Sequence, residues 1–377
     1  MAHELSKLLL DSAARAAWRG FGDTQPNPLV GAVIARGSDV LAIGHHRRYG
    51  GWHAEREAIE LCVARGLPTA GSTMYVTLEP CGHTGKQPPC VEAIVAAGIA
   101  RVVYAAADPN PLAAGGAELL REAGVAVELC DVSRWCRILN APFLKRVRTG
   151  LPWVVAKWAQ TIDGRVATRS GESKWISGEL SRSRVHRLRS RVDAIVTGIG
   201  TVLADDPMLT ARGVRRVRRV ARRVVCDTDL DIPLDSGLVR TALDRPTTIV
   251  CASELASAEI TAQRRSSLAA AGIDIVGVPA GAVGVDLEAM LRELVTRYGV
   301  ATVMVEAGPG LVGSFLSADL IDEAVVYVAP LLLGDEQAKS AAAGRVAESL
   351  TNGRRMELVR VKALGSDVEL VYRRAAR

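Results

Sequence analysis

The stretch from His53-Ala54-Glu55 to Pro80-Cys81-Gly82-His83-Thr84-Gly85-Lys86-Gln87-Pro88-Pro89-Cys90 constrains this chain more than any other. One imidazole and two thiols can supply three ligands to a zinc ion and leave a fourth position for water. That is the layout of a catalytic zinc rather than a closed structural one. Side chains two apart on a helix do not share a face. His53 and Glu55 can therefore converge only where a helix begins, and the pattern predicts a helix over 54–65 that starts there. A strand over 73–78 then leads to Cys81, and a helix over 91–98 follows Cys90. Strand ends and helix N-termini also favour the thiolate form of cysteine.

The residue types fit one chemistry. Zinc with two thiolates and a neutral imidazole forms a core of zero formal charge, on which water ionises near neutral pH. Glu55 is the spare carboxylate: it can take that proton, then pass protons to a ring nitrogen and to departing ammonia as an amino-bearing ring carbon is attacked. His-x-Glu followed by Pro-Cys and a second cysteine is the signature of zinc-dependent deaminases. Ordinary buried thiols would not require this order, spacing and pair of flanking prolines. A zinc kept only for stability would leave Glu55 without a task.

At 377 residues and 49% hydrophobic, the chain should hold two or more domains, each with its own core. Its seven cysteines do not form the even set of a secreted disulfide framework. Cys62, Cys130, Cys136, Cys226 and Cys251 read as small core residues in a reducing compartment. No apolar run is long enough to span a membrane, and Glu4, Lys7 and Asp11 interrupt the apolar positions a signal peptide would need. A cytoplasmic protein is expected. The net charge of +6 is concentrated in Arg212, Arg215, Arg216, Arg218, Arg219, Arg222 and Arg223. With 4% aromatic residues there is no interleaving to stack bases, so nucleic acid is not an expected partner. The run reads mostly as a solvated loop whose ends face phosphate groups of small ligands.

Apolar periodicity predicts a helix over 4–19, then strands over 29–35 and 40–44, a strand over 101–105, a helix near 115–123 and a strand over 125–129. Strands alternating with helices imply a largely parallel sheet covered on both faces. Asn27, His45, His46, His83, Lys86, Asp108 and Asn110 fall on loops at strand ends, where such sheets bind ligands. The basic segment Asn140–Pro152 reads as a domain boundary. A second alternation follows, with strands over 154–160, 194–198, 224–227, 247–252, 302–306, 324–329 and 369–374, and helices over 178–191, 286–298 and from 311. Gly308-Pro309-Gly310-Leu311-Val312-Gly313 lies between a strand and a helix, where backbone N–H groups can hold phosphates. The acidic residue expected about 20 positions later is missing, so a simple NAD fingerprint fails. A tight turn remains the alternative.

With these residues in view, nearly the whole chain resembles the bifunctional deaminase–reductases of riboflavin biosynthesis. The first half matches through TQPNPLVGAVI, the His53-Ala54-Glu55 box, PCGHTGKQPPC and ADPNP at 107–111. The second half matches through TIDGRVA at 161–167, SKWISG at 173–178, HRLRS at 186–190, TVLADDPMLTAR at 201–212 and VEAGPGLVGSF at 305–315. Gln87 and Gln160-Thr161-Ile162 depart from the family's commoner residues.

The resemblance implies an α/β protein: a cytidine-deaminase-like three-layer αβα domain over 1–148 and a dihydrofolate-reductase-like α/β domain over 149–377. It implies one Zn²⁺ per deaminase domain and NADPH for the reductase. The first domain would hydrolyse the 2-amino group of 2,5-diamino-6-(5-phosphoribosylamino)pyrimidin-4-one, and the second would reduce the ribosyl side chain to ribityl. His53, Cys81 and Cys90 match the metal ligands and Glu55 the catalytic carboxylate. Asn27, His45, His83, Lys86, Asp108 and Asn110 match substrate contacts in the deaminase. Ser173, Arg189, Leu209, Arg212 and Glu306 match substrate positions in the reductase. Gln160, Trp175, Thr201, Asp205 and Gly308 to Gly313 (Gly308, Pro309, Gly310, Leu311, Val312, Gly313) match the NADPH site. Arginine forks such as Arg189 and Arg212 suit a phosphate dianion, and Lys157 is a candidate to polarise the sugar, with a strand-edge lysine as the alternative. A small phosphorylated pyrimidine is the expected partner, with no membrane, and a homo-oligomer, dimer or tetramer, is expected. The rival readings are a nucleic-acid deaminase with a basic accessory domain, a zinc-stabilised RNA-binding protein, and a chain in which only the reductase is active.

Overall fold

A computed structural model describes residues 2–374 apart from Leu112, Val132 and Val346. The chain divides into two compact units, Met1–Gly150 and Leu151–Arg377. The first unit runs α1 (Ala2–Ala17), β1 (Gly31–Arg36), β2 (Asp39–His45), α2 (Ala54–Ala64), β3 (Thr73–Val76), α3 (Cys90–Ala96), β4 (Arg101–Tyr104), α4 (Gly116–Glu122), β5 (Ala126–Leu129) and α5 (Arg134–Thr149). Its five strands lie in the order β2-β1-β3-β4-β5. The expected largely parallel sheet is half so: β3, β4 and β5 run parallel, but β1 is antiparallel to both β2 and β3. The cause is local. Arg36 pairs with Asp39 across Gly37-Ser38, and a two-residue connection can only make a hairpin.

Alternation along the strands builds two cores. Ala32, Ile34, Met74, Val76, Val102 and Tyr104 face a layer that includes Ala54, Ala58 and Cys62 of α2 and Ile94 of α3. Their neighbours Val33, Ala35, Tyr75 and Val103 face Leu9, Leu10, Ala13 and Ala17 of α1 and Leu139 of α5. The basic stretch read as a boundary from 140 is thus mostly helix. Ser133 caps α5 by accepting a hydrogen bond from Cys136 N at 3.0 Å, and Pro142 sits inside the helix. Charged residues on its outer face hide an inner face that includes Cys136 and Leu139.

Helix α2 lies so close to β2 that a Cβ on Gly44 would meet Ala54 O at 2.4 Å and Ala58 N at 2.5 Å. Only glycine permits this approach, and it sets the depth of the helix end that carries His53 and Glu55.

The second unit runs β6 (Trp153–Gln160), β7 (Arg165–Ala167), α6 (Glu179–Arg189), β8 (Ala194–Gly198), α7 (Ile199–Asp205), β9 (Arg222–Cys226), α8 (Gly237–Arg240), β10 (Thr247–Ala252), α9 (Ser253–Ser257), α10 (Ala262–Ala270), β11 (Ile273–Val278), α11 (Leu287–Tyr298), β12 (Thr302–Val305), α12 (Pro309–Ser317), β13 (Glu323–Val328), β14 (Lys339–Ser340), β15 (Met356–Leu364) and β16 (Asp367–Arg374). Nine strands form one sheet in the order β11-β10-β9-β8-β12-β6-β13-β16-β15. The first seven are parallel, and β16 and β15 close the sheet antiparallel. Val154, Val196, Val224, Val250, Val276 and Val303 come from six of those parallel strands and pack under Met290, Leu291, Leu294 and Phe315. Such valine-rich strands are those of a sheet buried on both faces.

The arginine run is less solvated than its composition suggests. Arg223 is 1% exposed, and its guanidinium donates to the hydroxyls of Thr241 and Thr247 and the carbonyls of Leu238 and Arg245. Arg222 pairs with Asp274 over the Tyr298 ring, and Arg219 pairs with Asp193. Arg212, Arg215 and Arg216 keep the exposed loop character. Among the described residues no helix is long and apolar enough to cross a membrane.

Gly44→Ala is expected to cost about 1–3 kcal/mol, the usual range for overpacking. It should appear as a lowered melting temperature with weaker zinc retention; an unchanged melt would mean that α2 is not seated on β2 as described.

Candidate active sites

His53 is the residue immediately before the first turn of α2, with extended backbone, and Glu55 lies in that turn. This is the one place where residues two apart can face the same point. Cys81 follows β3 through Leu78-Glu79-Pro80, and Cys90 opens α3 behind Pro89. His53 Nδ1 lies 3.5 Å from Cys81 Sγ and 3.4 Å from Cys90 Sγ. Zinc bonds of about 2.0 Å to nitrogen and about 2.3 Å to sulfur at a tetrahedral angle imply N···S separations of about 3.5 Å. The three donors therefore fit one zinc ion, and all lie within 4.8 Å of one another.

The electrostatics agree. A hydrogen bond shared by the two cysteines leads in drawing the Cys81 thiol down to about 4 against the effect of burial, with His53 adding to it, and the same bond and burial raise the Cys90 thiol, which holds the proton between them. The Cys81 sulfur is thus available as thiolate. Glu55 is 3% exposed, and its Oε2 has no hydrogen-bond partner among the described residues. Burial pushes its carboxyl up to about 6, with His53 partly opposing. A buried oxygen without a partner is costly unless a ligand or water completes it.

Above these groups opens a cavity of about 390 Å³. Five of the six substrate positions named from sequence line it: Asn27, His83, Lys86, Asp108 and Asn110. His45 does not. Its imidazole lies 3.3 Å from Glu57 of α2, and the adjacent His46 lines the cavity instead. Neighbours in an extended strand point to opposite sides, so one of the two histidines had to turn away. His46 Nδ1 donates to Trp52 O at 2.8 Å, which leaves Nε2 to accept from Asn27 Nδ2 at 3.3 Å. Burial lowers the pKa of His46, in keeping with this neutral form. Tyr49, Glu79, Phe143 and Arg146 also line the cavity. Phe143 and Arg146 went unread because their helix was taken for a linker. Tyr49 betrays itself only in space, where Lys86 Nζ sits 4.1 Å above its ring.

In the second unit, β6, β12 and α6 bring three charges together. Glu306, just past β12, receives Arg189 in a two-point contact at 2.7 and 2.9 Å and Lys157 Nζ at 3.3 Å. Burial would raise the Glu306 carboxyl, but Lys157 and Arg189 outweigh it and hold the group down to about 2. Arg189 is therefore committed to a carboxylate rather than a free phosphate fork. Its remaining nitrogen donates to Thr210 O at 3.1 Å, and Arg212 N lies 3.3 Å from His186 Nδ1. Those contacts tie the segment holding Leu209 and Arg212 to α6. Leu209 is buried with a φ of 49°, and the Arg212 side chain is exposed.

The NADPH positions divide. Gly308 N donates to Thr201 Oγ1 at 3.2 Å at the start of α12. A Cβ on Gly310 would meet nothing within 4 Å, whereas one on Gly313 would lie 1.7 Å from Ala343 O. Gly310 thus leaves bare backbone in open space, and Gly313 exists to let another segment pass. Pro309 opens the helix, Leu311 packs on the second unit's apolar core, and Val312 is buried in it. Asp205 pairs with Lys174 at 2.9 Å, beside Ser173 and the 72% exposed Trp175. Trp175 stacks under Arg182, with the guanidinium carbon 4.7 Å from the ring centre. Gln160 is not joined to this group by any hydrogen bond described; its Oε1 accepts from Trp158 Nε1 at 2.7 Å.

Residues 3–106 match the family described as the cytidine and deoxycytidylate deaminase zinc-binding region, and residues 152–370 match the RibD C-terminal domain. Riboflavin biosynthesis protein RibD of Actinobacillus pleuropneumoniae is 39% identical, over 96% of this chain and 94% of that relative. The RibD of Escherichia coli K12 is 35% identical, over 94% of this chain and 96% of its own. The chain belongs to the RibD family. It is a bifunctional deaminase–reductase of riboflavin biosynthesis with zinc and NADPH as its cofactors. Two solved structures share the RibD architecture: Acinetobacter baumannii RibD (form 1), 34% identical with a TM-score of 0.82 over 99% of this chain and 100% of that one, and a Thermotoga maritima protein, 29% identical with a TM-score of 0.82 over the whole of both chains. The cytidine-deaminase-like and dihydrofolate-reductase-like folds expected from sequence are those of this family.

A second grouping of possible metal donors in this RibD chain, His3, Glu128 and Cys130, is of a different kind. Arg101 already engages the Glu128 carboxylate, and its positive charge opposes a cation there.

Serine in place of Cys81 or Cys90 is expected to abolish stoichiometric zinc, from about one ion per chain, by metal analysis. Glu306 supplies a second expectation. Its folded pKa of about 2 lies below the ordinary 4.5, so it contributes stability that is full above about 4.5 and lost as pH falls toward 2. Acid unfolding of Glu306→Gln should therefore be less pH-dependent than wild type across that window; parallel curves would mean the ion pairs are not made.

Proposed function

We propose that residues 1–148 deaminate 2,5-diamino-6-(5-phosphoribosylamino)pyrimidin-4-one and that residues 149–377 reduce the ribosyl group of the product to ribityl. The Thermotoga maritima relative is described as a diaminohydroxyphosphoribosylaminopyrimidine deaminase and 5-amino-6-(5-phosphoribosylamino)uracil reductase, which supports these substrates. The observation that carries the deaminase assignment is the partnerless Glu55 Oε2 beneath the cavity, beside three donors spaced for one zinc. His53, Cys81 and Cys90 would hold a zinc ion, which would supply the acidity that makes a water nucleophilic. Glu55 Oε2 is the group placed to take a proton from the attacking water, give it to the ring nitrogen and assist the departure of ammonia, so that C–NH₂ and H₂O become C=O and NH₃.

Asn27, oriented by neutral His46, serves as a hydrogen-bonding partner for the ring, and Asp108 and Asn110 form a wall of the same cavity. Lys86 offers the 5-phosphate a cation, with His83 beside the same cavity as a hydrogen-bonding partner. In the reductase, Thr201, Asp205, Trp175 and Gly308 to Gly310 hold NADPH, which supplies the hydride. Lys157, fixed by Glu306, hydrogen-bonds the sugar, and Arg212 with Ser173 meets its phosphate. Leu209 forms an apolar side of that site. The protein works in the cytoplasm, a reading supported by seven buried, unbridged cysteines. It works as a homo-oligomer, a reading supported by exposed Leu358 and Val361 on the edge strand β15.

With the diamino substrate and NADPH, purified protein should release ammonia and consume NADPH. Glu55→Gln should cut ammonia release by about 10²–10⁴-fold, the usual worth of a general acid–base. Bound zinc, and NADPH consumption on the deaminated intermediate, should stay at wild-type level. Joint loss of both activities in a folded protein would contradict the two-site division.

A further inference from the structure

We propose that Glu79 is a positioning residue of the deaminase, holding the wall that carries Asp108 and Asn110 at a fixed distance from the zinc ligand Cys81. The inference rests on the reading that this wall contacts the substrate. Glu79 lies two residues before Cys81, is 8% exposed and borders the cavity. Its carboxylate accepts three backbone N–H groups: Asp108 N on Oε2 at 3.1 Å, and Gly115 N and Ala117 N on Oε1 at 3.2 and 3.0 Å. Gly115 immediately precedes α4 and Ala117 lies in its first turn, so one buried side chain caps the helix and pins the loop that leads into it. Glu79 N itself donates to Ala106 O at 2.8 Å, which joins the two segments again beside the pin.

The contact leaves little slack. A Cβ on Gly116 would lie 1.8 Å from Pro80 O, so the backbone running from Glu79 to Cys81 already touches α4. Within the loop, Asp108 Oδ1 accepts from Asn110 N at 2.9 Å, and Asn110 O accepts from Ala113 N and Ala114 N, each at 2.9 Å. These turns are linked to one another, and the Glu79 carboxylate is the side chain that ties Asp108 and the start of α4 to the metal side. Three donors aimed at two oxygens need an acceptor with no hydrogens of its own. An amide would turn an NH₂ toward at least one N–H.

The test uses full-length protein, assayed for zinc content, ammonia release and NADPH consumption on the deaminated intermediate. Glu79→Gln should keep its zinc and its reductase rate, keep kcat within a few-fold, and raise the deaminase KM by roughly 10-fold or more, as expected of misplaced binding groups. Asn110→Ala should raise KM as well, and adding Glu79→Gln to it should do little more, because both remove the same placement. A normal KM in Glu79→Gln, or effects that multiply in the double variant, would overturn the proposal. Loss of zinc from both Glu79→Gln and Glu79→Asp would also overturn it, since Glu79 would then hold the unit together rather than the wall. An unaltered KM in both Asp108→Ala and Asn110→Ala would instead remove the substrate-wall reading on which the proposal stands, whatever Glu79→Gln did.

Discussion

The deaminase half depends on one convergence: an imidazole just before a helix, and two thiols from a strand end and a second helix start, brought within bonding range of one ion. None of the three is unusual alone. Their meeting requires α2 to lie almost against the backbone of β2, and α3 to begin where the chain leaving β3 turns back. The sheet and its two helical layers bring three short segments together, and the core residues behind them resist displacement because interiors are close-packed. Chemistry then follows from what is not satisfied. The three donors have one another, while Oε2 of Glu55 has no hydrogen-bond partner among the described residues.

The reductase half is organised on a different principle. Its centre is a carboxylate flanked by two cations, so the cluster keeps one net positive charge, held in place by the carboxylate between them. A site whose hydride comes from a bound nucleotide needs orientation and dryness more than a strong base. Paired charges of this kind hold shape well, because moving one partner exposes the others. Two units of one chain therefore illustrate two uses of buried charge, one left reactive and one locked.

Much of this was legible in the amino-acid order, for identifiable reasons. The metal donors were visible because their spacing around prolines is restrictive, and the helix start at His53 followed from geometry alone. Six of the seven parallel strands of the second unit declared themselves as apolar, mostly valine-rich runs, whereas β11 at the sheet edge, with Asp274 and Gly277 in its run, did not. Other features left no local trace. His45 and His46 are equivalent in composition, and only strand direction decides which turns inward. Helix α5 carries its charges outward and a proline within, so its apolar face was masked and Phe143 and Arg146 with it. Arg223 sits in a run of like residues, yet its hydrogen-bond partners lie 15 to 24 positions away. The antiparallel β15 escaped because most of its residues are exposed and its alternation is weak. Long-range partners of this sort are what a one-dimensional reading lacks.

The glycines of the loop before α12 look interchangeable on paper, yet they answer to separate demands. Gly310 borders open space, while Gly313 is pinned beneath Ala343 by simple lack of room. The second demand has nothing to do with nucleotides. A descendant of this chain that abandoned its cofactor would be free to change Gly310 and still be obliged to keep Gly313, so half of the motif would outlive the activity it is taken to signify.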